Sequence, residues 1–157
     1  MKHYTFVMLK PDALRRNLVP DVIDYLVGHG YQIELFDYRL ATKELIFQHY
    51  AEKISIEGDS FRIKSATTFN NKPVIPIILS SQSETIVKDI RTLIGATDPS
   101  KAAPDTIRGK WGIDCMDVSE RENRCCENLF HASDSPESFA YEIKIWFDKD
   151  KIERFLK

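Results

Sequence analysis

Apolar positions recur along this chain in two alternating rhythms. Tyr4 to Leu9 is a continuous apolar run, which predicts a buried strand. Val22, Ile23, Leu26 and Val27 then repeat at helical spacing, with Pro20 suited to the entry and Gly28 and Gly30 marking the end. Tyr31 to Ala41 alternates at Tyr31, Ile33 and Leu35 and slips phase to Tyr38 and Leu40, predicting a second strand with an irregularity near Phe36. Thr42 to Asn70 is more polar and reads as two helices, with Thr42 and Asp59 as N-caps. Val74 to Ser80 is a third strand, and Pro76 inside it removes a ladder donor, which places it at an edge or a bulge. Ser81 and Glu84 have capping-box spacing ahead of the helical face Ile86, Val87, Ile90, Leu93 and Ile94, closed by Gly95.

From Ala96 to Glu127 the periodicity fails, and an irregular stretch this long in a compact protein marks a functional or mobile loop. Asn128 to His131 predicts the fourth strand. Ser135 caps a last helix with Pro136 in its first turn and Phe139, Ile143, Trp146 and Phe147 on its buried side. With the paired helices set aside, the order is a split βαβ pattern. It predicts an α+β ferredoxin-like βαββαβ sandwich: a four-stranded antiparallel sheet, added helices and a long active-site loop. No repeat or linker interrupts it, so residues 1–157 are expected to form a single domain.

Composition narrows the function classes. The chain has 157 residues, 43% hydrophobic and 29% charged, with a net charge of -2, which removes bulk electrostatics as a reason to bind nucleic acid. The three cysteines, Cys115, Cys125 and Cys126, lack metal-ligand spacing and read as reduced thiols, hence a cytoplasmic location. The first apolar run is too short for a signal peptide, and no run approaches membrane-spanning length.

The candidate chemistry centres on His131, which ends a short apolar run and is followed by Ala132-Ser133-Asp134-Ser135. A neutral imidazole is nucleophilic near neutral pH. Lys10 leaves the first strand at Lys10-Pro11-Asp12, Arg91 and Thr97 flank the start of the irregular loop, and Thr106-Ile107-Arg108-Gly109-Lys110 sits within it. Cations and hydroxyls around a nucleophile are what phosphoryl transfer needs. P-loop and dinucleotide-binding glycine patterns are absent, as is a zinc-type cluster.

Four segments resemble the nucleoside diphosphate kinase family along essentially the whole chain. Phe6 to Asp12 is similar to its first-strand IKPD signature. Gly95-Ala96-Thr97-Asp98-Pro99 and Ala103 to Gly109 resemble its G-x-T-x-P and P-G-T-I-R-G segments, and Asn128 to Ser135 its N-x-x-H-[GA]-S-D-S signature. The resemblance implies that His131 accepts the γ-phosphoryl group, that Glu142 orients the imidazole and that Ser133 bonds that carboxylate. It places Lys10, Arg91, Thr97, Arg108 and Asn128 on phosphates and sugar, Tyr50 near the phosphates and histidine, and Phe61 under the base at the cleft mouth. Mg²⁺ would arrive with the nucleotide, with no metal ligands expected from protein side chains. Expected partners are nucleoside di- and triphosphates and further copies of the chain, a hexamer being favoured over a tetramer or dimer, with no membrane.

The chain also departs from that pattern. Asp105 stands in place of a glycine, Ser65 where an apolar residue would help Phe61 grip the base, and Lys110 in place of an acid. The stretch Trp111 to Glu127 is longer than in short-loop relatives. A nucleotide-binding relative without chemistry is disfavoured because His131, Lys10, Arg108, Asn128 and Glu142 are all retained. Nucleic-acid binding through exposed sheet aromatics is disfavoured by the net charge and by the helices or partner subunits expected over that face.

Overall fold

The computed structural model describes residues Met1–Lys157. The chain runs through β1 (His3–Leu9), α1 (Pro11–Arg15), α2 (Val19–Gly28), β2 (Gln32–Phe36), β3 (Arg39–Ala41), α3 (Lys43–His49), α4 (Ala51–Glu57), α5 (Asp59–Phe69) and β4 (Lys72–Ser81). It continues through α6 (Ile86–Ile94), α7 (Ile107–Trp111), α8 (Met116–Arg121), β5 (Phe130–Ala132), α9 (Pro136–Trp146) and α10 (Lys149–Ile152), with single 3₁₀ turns at Pro99–Lys101 and Glu153–Phe155. All strand pairs are antiparallel, in the order β2-β4-β1-β5, and β3 adds to β4 beyond the end of β2. This is the ferredoxin-like sandwich, with one short strand more than the sequence pattern predicts.

Helices cover both faces of β1, which explains its unbroken apolar run. Val7 and Leu9 pack with Val22, Leu26, Ile90, Ile94 and Phe130 on one face. Phe6 and Met8 pack with Ile46, Phe69, Phe139, Ile143 and Trp146 on the other. Side chains alternate along a strand, so each neighbour in sequence serves a different core. Removing Phe6, which is fully buried, would cost about 3–5 kcal/mol.

Several expectations change in detail. The irregularity near Phe36 is a register shift between Ile33 and Leu35, followed by a break that separates β2 from β3. Pro76 lies in the central strand β4, opposite Met8. Its carbonyl accepts from Asp37 N–H at 3.1 Å, so its missing donor faces the break between β2 and β3, where no ladder bond is lost. Thr42 does cap α3, accepting from Leu45 N–H at 3.2 Å. Asp59, however, is the first residue of α5, and Gly58 at φ +74° turns the chain there, so the polar segment forms three helices. The Ser81–Glu84 capping box does not form: α6 starts at Ile86 after Thr85, and the Ser81 hydroxyl accepts from Ser83 N–H. The aperiodic stretch carries two short helices whose lengths are too small to show a period.

Candidate active site

The site begins with a strained backbone. Leu129 is fully buried and sits at φ +72°, a conformation that L side chains with bulk avoid. Phe130 N–H donates to Asn128 O at 2.8 Å across it, which makes a γ-turn. The β1 exit holds this turn on both sides: Lys10 N–H donates to Leu129 O at 2.9 Å, and Asp12 Oδ2 accepts from Leu129 N–H at 3.1 Å. The turn feeds β5, where Met8 pairs with His131. Phe130 and Ala132 face the core under α2 and α6, so the strand alternation sends His131 to the opposite face, beside α3 and α9.

On that face α9 presents Glu142 among Phe139, Ile143 and Trp146, all on its buried side. His131 Nε2 lies 2.8 Å from Glu142 Oε1, and the Ser133 hydroxyl donates to Glu142 Oε2. A carboxylate only accepts, so Nε2 carries the ring proton and Nδ1 is left with a free lone pair. Burial, followed by the charges of Lys10, Arg108 and Arg91, holds the imidazole well below its usual pKa, so it is neutral at pH 7. Burial in turn raises Glu142.

The cations are fixed by carbonyl oxygens, those of the backbone for both arginines and that of the Asn128 side chain for Lys10. Arg108 donates through Nε to Asn128 O at 3.1 Å, through Nη1 to Gly95 O at 3.0 Å and through Nη2 to Phe130 O at 2.6 Å. Of five N–H groups two remain for a ligand. Arg91 Nη1 reaches Ala132 O at 3.2 Å. Lys10 Nζ donates to Asn128 Oδ1 at 2.7 Å, and Asn128 Nδ2 donates to Thr97 O at 2.8 Å. Burial and the Arg108 charge lower Lys10 to about 8. Two glycines allow this closeness: Gly95 sits at φ +95° against the Thr106 side chain, and a Cβ at Gly109 would strike the Ala103 carbonyl.

Lys10, Tyr50, Arg91, Thr97, Arg108, Asn128, His131 and Glu142 line one cavity of about 560 Å³. Ser133 lies behind it, fully buried. Phe61 is placed differently from expectation. It is 6% exposed, in an adjoining space of about 180 Å³, with Lys53 Nζ 4.5 Å from its ring centre and Tyr50 edge-on at 5.3 Å. Ser65 is buried and bonds Arg62 O, so it does not extend an apolar grip. Asp105 adopts no positive φ, and its carbonyl accepts from Tyr25 OH, so the residue fits without strain.

Three features escaped the sequence reading. Asp12 braces the γ-turn. His49 packs against His131 with ring centres 4.2 Å apart. Asp114 anchors the long loop by accepting from Arg124 and from Glu127 N–H at 2.8 Å; despite burial these bonds hold it at about 2. No local signal marks these residues, because their partners lie on other elements.

His49, His131 and Glu142 have nitrogen and carboxylate atoms within 4.8 Å of one another, a donor set a transition metal could use. The positive field of Lys10, Arg91 and Arg108 opposes a bare cation there. The exposed carboxylates on the wall, Glu52 and Asp134, suit the water shell of an ion that enters already bound to phosphates.

A neutral imidazole steered by a carboxylate, facing fixed cations in a cavity of nucleotide size, defines a phosphotransferase. The nucleoside diphosphate kinase family model matches residues 3–152. Relatives named nucleoside diphosphate kinase include those of Archaeoglobus fulgidus, 36% identical over 94% of this chain and 88% of theirs, and Staphylococcus epidermidis, 34% identical over 94% and 89%. Among solved structures, the fold is similar to the Borrelia burgdorferi nucleoside-diphosphate kinase with bound vanadate and ADP, a transition-state mimic, at TM-score 0.87 and 26% identity over 96% of this chain and 89% of that one. An NDP kinase from Pyrobaculum aerophilum gives TM-score 0.83 and 26% identity over 97% and 99%. The chain belongs to the nucleoside diphosphate kinase family.

Proposed function

We propose that His131 carries the γ-phosphoryl group from a nucleoside triphosphate to a nucleoside diphosphate, in the two half-reactions of a ping-pong cycle. The observation that carries this reading is the Glu142–His131 bond, which leaves Nδ1 as the free nucleophile toward the cationic cavity. Nδ1 attacks the terminal phosphorus; the bond to the β–γ bridging oxygen breaks, and the nucleoside diphosphate leaves. The reverse attack by a second diphosphate returns the imidazole to its neutral state. Lys10, Arg91 and Arg108 oppose the charge that develops on the phosphate oxygens, and their tethers mean that no reorganisation is needed. Glu142 faces the positive charge that the ring acquires on phosphorylation, and Ser133 keeps the carboxylate turned that way.

Thr97 and Asn128 position phosphates and sugar, and Tyr50, 5.9 Å from the His131 ring, closes the phosphate end. Phe61 is the stacking surface for the base, reached when the Lys53 side chain swings away. A divalent cation, Mg²⁺ in this reading, would supply charge neutralisation to the phosphates, with Glu52 and Asp134 as the protein groups nearest its waters.

The exposed edge residues Phe36, Tyr38 and Leu40 support a homo-oligomer. No helix is long and apolar enough to cross a membrane, and the three cysteines are free, which supports a reducing, cytoplasmic setting. Intact mass after incubation with Mg-ATP tests the chemistry. The expected result is an acid-labile phosphate on the protein, discharged by GDP and absent from His131→Ala. A phosphate gain that survives in His131→Ala would overturn it.

A further inference from the structure

His49 closes α3 beside the nucleophile, yet none of the roles above uses it. Its Nδ1 lies 3.0 Å from Trp146 Nε1 on α9. An indole N–H can only donate, so Nδ1 must hold a lone pair, and a neutral His49 carries its proton on Nε2. Burial keeps it neutral. The tautomer is therefore set by the fold. That Nε2–H is buried without a partner. A buried donor left unpaired opposes folding, and at a functional site it marks a bond made in another state of the cycle. Ring atoms of His49 and His131 and a Glu142 oxygen lie within 4.8 Å of one another. Within this trio Glu142 has spare lone pairs, since each of its oxygens accepts one bond so far.

We propose that His49 is a positioning residue for the nucleophile: its Nε2–H, unpaired in this structure, becomes the third donor to Glu142 as His131 attacks phosphorus, holding the carboxylate on His131 Nε2. This rests on the phosphohistidine reading of the site. His49 touches neither substrate nor phosphate in this role. It acts through Glu142, and Trp146 sets it by fixing which nitrogen bears the proton.

Two variants separate this role from a structural one. His49→Asn keeps an acceptor near Trp146 but lacks a donor at the Nε2 position. His49→Gln reaches that position with an N–H. Single-turnover phosphorylation by Mg-ATP is read beside ADP affinity, and ¹⁵N NMR of the ring nitrogens reads the tautomers. In the wild type, His49 is expected with Nδ1 bare and the proton on Nε2. The Asn variant should phosphorylate about tenfold to a hundredfold more slowly with ADP affinity unchanged, because the bond made during phosphoryl transfer is missing. The Gln variant should recover most of the rate. A wild-type His49 protonated on Nδ1 would overturn the proposal, which needs no variant to fold. So would an Asn variant that phosphorylates as fast as the wild type, or a Gln variant no faster than Asn. Phosphate uptake by His131→Ala would instead sink the phosphohistidine reading itself.

Discussion

The two ends of the nucleotide cavity are built differently. At the phosphate end, buried and half-buried side chains are tied to groups far away in sequence: Lys10 to the Asn128 side chain, Asp12 to Leu129 N–H, Arg108 to three backbone carbonyls. At the base end, α5 meets the long loop through one pair with an exposed carboxylate and one half-buried bond. Lys64 reaches Glu120 of α8 at 2.5 Å, with Glu120 more than half exposed, and Cys125 N–H donates to Thr68 of α5 at 2.9 Å. Chemistry with charge needs fixed dipoles, and fixing them requires buried, over-determined bonds. Stacking on an aromatic ring tolerates movement, because every base has a π-face. The structure places rigidity where charge moves and leaves exposed contacts where shape suffices.

The sharpest way to break this contrast is at Lys10. Lys10→Met should lower kcat/KM at least about a hundredfold, through lost stabilisation of phosphate charge. Its melting temperature should hold or rise, because a buried cation is removed. A marked loss of folding would show that the lysine is mainly structural. The same group gives a pH signature. Lys10 is cationic below its lowered pKa and neutral above it, so kcat/KM in the wild type should fall as pH rises through about 8. No acid limb should appear near 6.5, since His131 stays neutral there. A profile with such a limb would contradict the described environment of the imidazole.

Asp12→Ala tests the brace. It removes the acceptor of a buried N–H at a strained residue, and urea unfolding should show a loss of about 2–3 kcal/mol. A near-neutral result would mean the turn holds without it. Ser133→Ala frees one Glu142 oxygen and should slow phosphoryl transfer about tenfold, as measured in single turnover. The smallest effect belongs to the base end. Glu120→Ala should change stability by no more than about 0.5 kcal/mol and the KM for nucleotides by no more than about threefold. A large change in either would make the long loop part of the rigid machinery.

Much of the fold was legible because its core elements bury one face or two. The β1 run, the α6 stripe and the Ser135 cap each carry a local physical reason for their shape. The segment from Thr42 to Asn70 was not, because α5 has no marked apolar side and Gly58, not a capping side chain, sets the break. Short helices α7 and α8 fell below the length at which a period can be seen.

What the sequence by itself determined is the order of the core strands and the helices that cover them, the cationic and nucleophilic residue types and, through its four family-like segments, the chemistry they serve. Tertiary structure decided everything that depends on partners distant in the chain. It chose the tautomer of His131 through Glu142, braced the Leu129 turn with Asp12, covered Phe61 with Lys53 and set His49 against the nucleophile through Trp146. Local patterns record which face of an element is buried; they do not record which donor meets which acceptor when the sheet closes, and the reactivity of this site is set by those meetings.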